Sequence, residues 1–78
     1  MNADFQAVQE LAERIKPLLA GRSPEIQSAV LAELLSLWLA GHYLMGPATI
    51  ERLLELHIDL VRKFLPENIR ALKARGLN

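Results

Sequence analysis

There is no cysteine in the 78 residues. Disulfides, thiolate metal ligands and a cysteine nucleophile are therefore excluded. Aromatic residues make up only 5% of the chain, too few for a stacking platform of the kind that single-stranded nucleic acids need. The four glycines form no phosphate-cradling loop. β-Branched residues are few and scattered, so strand signals are nearly missing. The net charge is zero, which removes the global basic excess of many nucleic-acid binders. Charge is also locally scarce: from Ser23 to Ile50 only Glu25 and Glu33 are charged. The opening MNADFQ has neither the basic nor the apolar region of a secretory leader, so the cytoplasm is the expected compartment.

What the chain has in quantity is leucine. Sixteen of its residues are Leu and 51% are hydrophobic, too apolar a composition for disorder. The length allows one domain at most, expected to span 1–78. So short a chain buries a small share of its surface, and small domains recover stability through oligomerisation when disulfides and metals are missing.

Apolar residues recur at helical spacing almost throughout. Phe5, Val8, Ala12, Ile15 and Leu19 draw one stripe on a first helix, 3–20, with Asn2 or Asp4 as N-cap. Pro17 is expected to kink it or to end it early at Lys16, and Gly21 to close it. A second helix, 24–40, starts at the cap Ser23 with Pro24 and Glu25 behind it, and Gly41 is expected to stop it. A loop follows, marked by Gly46-Pro47. Thr49 is the expected cap of a third helix, 49–65, although Pro47 offers an earlier start. Pro66 should interrupt it, leaving 67–75 as a short C-terminal helix or as a kinked continuation of the third. The fold class expected is all-α, a three-helix bundle with that extra piece.

The second helix carries Ile26, Val30, Leu31, Leu34, Leu35, Leu37, Trp38 and Leu39 over about 220° of its circumference. A surface helix needs little more than about 100°. A membrane span is the first reading to test. It needs about 20 apolar residues. The helix signals limit this segment to Pro24–Ala40, with Glu33 at the middle at a cost of about 3 kcal/mol. No transmembrane span is expected. The third helix is also broadly apolar, about 200° wide, with Glu51, Arg52, Glu55, Asp59, Arg62 and Lys63 on its polar side. Two such arcs exceed what one small core absorbs. The expected state is therefore a homodimer in which Leu31, Leu34, Leu35, Trp38 and Leu39 form the interface. The alternative is a monomer whose C-terminal piece folds over the excess.

Three groups of residues could do more than pack. His57 falls inside the third helix's apolar arc, where an imidazole needs a hydrogen-bond partner. His42 and Tyr43 from the loop are the candidates, the indole N–H of Trp38 being a donor only, which gives a polar pocket of His42, Tyr43 and His57 as a ligand or metal site. No carboxylate shares that face, and two imidazoles make a poor metal site. Tyr43, Leu44 and Met45 are otherwise expected to plug one end of the bundle. Arg62, Lys63, Arg70, Lys73 and Arg75 stand against Glu67 in residues 62–78, which leaves net +4 there. Residues 1–61, with four basic and eight acidic side chains, carry −4. These five cations are candidate contacts for a nucleic acid, an acidic protein or an anionic membrane surface. No catalytic set is visible: Ser23, Ser28 and Ser36 have no histidine on their helix, and His42 and His57 are fifteen residues apart. No enzymatic activity, cofactor or resident metal is expected.

The segments SPEIQSAVLAELLSLWLAGH and LLELHIDLVRKFLPEN, together about half the chain, resemble small helical bacterial proteins of uncharacterised function. The resemblance implies a helical cytosolic protein and no activity. The function expected from the residues is a protein–protein interaction or scaffold module acting through an apolar helix face. A nucleic-acid-binding accessory protein and a small-ligand or metal binder at His42 and His57 are the alternatives.

Overall fold

A computed structural model of the chain describes residues 2–76. Among them are three α-helices and no strand: α1 Asn2–Leu19, α2 Pro24–Ala40 and α3 Pro47–Ala74, with a one-turn 3-10 helix at Tyr43–Met45. The chain divides into two units, Met1–Leu34 and Leu35–Asn78.

In the first unit, α1 runs through Pro17 to Leu19 without the early stop expected at Lys16. Pro17 lies on the polar side of the helix, near Gln6 and Glu10 by helical angle. The ring therefore stands on the exposed side of α1 and not against its leucines. Asp4 sits in the first turn rather than at the cap. The side chain of Asn2, the other cap candidate, lies outside the described residues. The start of α2 is as the sequence indicates: the Ile26 amide donates to Ser23 Oγ at 3.3 Å, satisfying one of the orphan donors of the first turn. The Gln27 side chain donates from Nε2 to the Leu19 carbonyl at 2.9 Å. A glutamine of one helix thereby adds a second donor to a terminal carbonyl of the other, which also accepts from the Arg22 N–H at 3.2 Å.

In the second unit, Gly41 does not take the left-handed conformation of a helix stop; its φ is not positive. The chain instead tightens. His42 N–H donates to the Leu39 carbonyl and Met45 N–H to the His42 carbonyl, both at 2.9 Å, and this carries the chain into the 3-10 turn. The left-handed residue comes five positions later, at Gly46, with φ 92° and ψ 158°. That region is open essentially to glycine alone. Gly46 serves as the N-terminal residue preceding α3, with Pro47 in the first turn, where a missing N–H costs nothing. Thr49 is thus inside the helix and not its cap. A Cβ on Gly46 would meet no atom within 4 Å, so the cost of substituting it is backbone strain alone. Gly46→Ala is expected to destabilise the fold by about 2 kcal/mol, read as a lower urea midpoint at fixed protein concentration.

Of the two outcomes expected at Pro66, a separate final helix or a continuation, the structure has the continuation. α3 is a single helix of 28 residues that passes through Pro66, so the separate C-terminal helix over 67–75 is corrected to the second half of α3. Pro66 projects from the polar side, between the rows of Asp59 and Arg62. The Arg62 carbonyl, deprived of an amide, faces solvent there, which makes the lost bond tolerable.

Half-buried side chains in this unit are Leu35, Leu39 and His42 on one side of the turn and Thr49, Ile50, Leu53, Leu54 and His57 on the other. From Ile58 to Gly76 every residue is exposed. Nowhere among the described residues is a side chain buried. Half of the sequence is apolar, and among the described residues none of that half is fully withdrawn from water.

Candidate functional site

The turn between α2 and α3 brings three ring side chains together. Trp38, one turn before the end of α2, has His42 edge-on at 5.1 Å between ring centroids and 68° between planes. It also meets His57 of α3 at 5.9 Å and 43°. Both histidines therefore pack on one indole. Such ring contacts contribute about 0.5–1.5 kcal/mol each. His42 Nδ1 lies 2.9 Å from the Trp38 carbonyl oxygen. A carbonyl only accepts, so Nδ1 carries the proton and Nε2 is the free nitrogen of a neutral His42 ring. The fourth residue after Trp38 thus ties its ring to the last turn of α2.

The expected polar pocket takes a different composition in space. His42 and His57 share Trp38 as their neighbour. Tyr43 is 70% exposed and forms no side-chain hydrogen bond among the described residues. Leu44 is 85% exposed, and Met45 is exposed as well, so the turn does not plug anything within the chain. Among the described residues no three His, Asp or Glu side chains come together to hold a metal ion. The ring contact between this indole and His57 is the part of the cluster that a helical wheel misses. Trp38 belongs to another helix, and only the path of the 3-10 turn brings it to His57.

The residues proposed for an interface fall in both units. In the first, Leu31 and Leu34 are exposed; in the second, Trp38 is exposed while Leu35 and Leu39 are half-buried. By helical angle Leu34 stands at the centre of the exposed arc of α2, flanked by Val30, Leu31, Leu37 and Trp38. Glu33 and Glu25 lie outside that arc, and nothing charged interrupts it.

The candidate anion contacts are all on α3 or just beyond it. Arg62 reaches Asp59 at 3.9 Å and Arg70 reaches Glu67 at 2.6 Å, each one turn away and solvent-exposed. Lys63, Lys73 and Arg75 have no acidic partner among the described residues. Exposed pairs of this kind add at most a few tenths of a kcal/mol, on the order of 0.3–0.5.

No family model, no curated protein and no solved structure matches the chain. The likeness of Ser23–His42 and Leu53–Asn68 to small helical bacterial proteins therefore extends to no family assignment. Among the described residues no helix is both long and apolar enough to cross a membrane. α2 is apolar but has only 17 residues. The longer α3 carries charge along a full side.

Proposed function

We infer that the protein is a helical interaction module that acts by binding rather than by catalysis, and that its first partner is a second copy of itself. The observation that carries this reading is that no described side chain is buried although 51% of the residues are hydrophobic. Leucines left in water forgo roughly 1 kcal/mol each when half of their surface stays exposed. Contiguous faces of that kind mark association sites.

α2 is the contact favoured for the two-fold pairing. Its exposed arc is free of charge, so two copies meet there without repulsion or buried carboxylates. Leu34, at the centre of that arc and near the middle of the helix, would sit close to the axis. A self-complementary patch of this sort is what a two-fold interface requires. Trp38 at its margin supplies the large aromatic typical of binding hot spots. The pairing of His42 and His57 with Trp38 then has a role: it fixes the indole in one orientation and shows its outer side to the partner.

Sedimentation equilibrium between about 1 and 200 μM tests the proposal, a span chosen to bracket micromolar affinities. A dimer that dissociates on dilution, with a melting temperature falling by about 4 °C per tenfold dilution, is the expected result. A monomer with a concentration-independent melting temperature over that range would overturn it.

A further inference from the structure

The second half of α3 poses a separate question, because its chemistry differs from that of α2. Leu60, Val61, Phe64, Leu65, Ile69 and Leu72 are all exposed and cover about half of the helix circumference. The other half carries Arg62, Lys63, Arg70 and Lys73 together with Asp59 and Glu67, and Arg75 follows just past the end of the helix. Within residues 59–75 five cationic side chains stand against two acidic ones, a net of +3. Both acids are already engaged by Arg62 and Arg70. Lys63, Lys73 and Arg75 are left as cations with no acidic partner among the described residues.

A second copy is a poor occupant for this face. Two such segments meeting by their apolar halves would gather +3 and +3 around the rim of one contact, and like charges there oppose pairing. A single partner helix is also too narrow, since it covers a stripe a little over about 100° wide. A flat apolar medium bordered by negative charge fits both the width and the sign. α1 offers an internal comparison. It is strongly amphipathic too, with Phe5, Val8, Leu11 and Ile15 in a row, but Asp4, Glu10 and Glu13 outweigh Arg14 and Lys16 on its charged positions. The basic excess belongs to α3.

We propose that the second half of α3, Ile58 to Arg75, docks on an anionic lipid bilayer surface. The helix lies in the plane of the interface. Phe64 and its neighbouring leucines enter the boundary between headgroups and acyl chains, and Lys63, Lys73 and Arg75 reach the headgroup phosphates. No span is needed. Pro66 is compatible with this placement, because it projects from the polar side; Asn68 is the polar residue that falls within the apolar arc by helical angle. The docking surface is distinct from the α2 face and does not depend on self-association.

The test uses the full chain and two sets of extruded vesicles, phosphatidylcholine alone and phosphatidylcholine with 30% phosphatidylglycerol. Binding is read by co-sedimentation. Each basic residue near an anionic surface contributes about fivefold in partition, so the net of three predicts about a hundredfold preference for the anionic vesicles at low salt. Half-molar salt should remove most of that preference. The triple variant Lys63→Gln, Lys73→Gln, Arg75→Gln alters exposed positions only and should lose about a hundredfold on anionic vesicles, with an unchanged helical circular dichroism spectrum. Phe64→Ser should weaken binding to both compositions while the dimer persists in sedimentation. Equal binding to the two vesicle types, no binding to either, or wild-type binding by the triple variant would each overturn the proposal. Salt-dependent binding of duplex DNA without vesicle binding would assign the basic side to nucleic acid. Loss of self-association in Phe64→Ser would assign the apolar side to a second copy. Both results also count against the lipid surface.

Discussion

Leu34→Asp is expected to leave the protein monomeric at concentrations where the wild type is a dimer, with the dissociation constant raised more than a hundredfold. The size of the effect follows from where the carboxylate goes. Within a single chain Leu34 is 51% exposed, so an aspartate there keeps its water and costs little beyond the lost apolar contact, about 1 kcal/mol. Across a two-fold axis the same substitution puts two carboxylates into one apolar contact. Each must be desolvated, at several kcal/mol per ion, and each faces its own copy. The ratio between the two environments is what makes the variant informative. A stability loss of about 1 kcal/mol with unchanged association would mean that α2 does not pair through this arc. A matched control is Glu33→Gln. It lies one position away and outside the arc, and should leave the dimer intact. Sedimentation equilibrium on the three proteins at equal concentration reads the result.

The elements that the sequence made legible are those that local chemistry decides. Ser23, Pro24 and Glu25 mark the start of α2 because capping, the fixed φ of proline and the helix dipole act within one turn. The end at Ala40 is also where the structure places it. The cause differs, since Gly41 tightens the chain into a 3-10 turn rather than turning left-handed. The choice between the two outcomes expected at Pro66 lies outside local propensity. Proline breaks a helix when the freed carbonyl has no partner, and here the polar side supplies water. His57 was legible as an imidazole on an apolar face, because a wheel needs only the spacing of leucines. Its ring contact was not. Trp38 reaches it through the geometry of the Gly41–Gly46 connection, and no one-dimensional pattern carries that geometry. The excess of apolar surface was legible from the breadth of the two arcs, and the structure leaves both without a buried residue.

Pro66→Ala is expected to stabilise the protein by about 2 kcal/mol, an unusual outcome for a single substitution in a natural chain. Three terms decide the sign. In a helix interior proline is about 3 kcal/mol less favourable than alanine, through the missing N–H and the ring's clash with the preceding turn. Alanine at 66 would donate to the Arg62 carbonyl and complete the ladder of α3. Against this, removing proline frees the unfolded chain, which costs about 0.4–1 kcal/mol. No side-chain packing enters the balance, because residue 66 and its neighbours are exposed. The residual is a gain of about 2 kcal/mol, seen as a higher urea midpoint by circular dichroism at fixed protein concentration. A neutral or destabilising result would mean that Pro66 bends α3 in the associated protein and that the bend is used in a contact. Comparison at two protein concentrations separates the cases. A gain confined to the helix is the same at both, whereas a bend required for association would make the variant lose more on dilution than the wild type does.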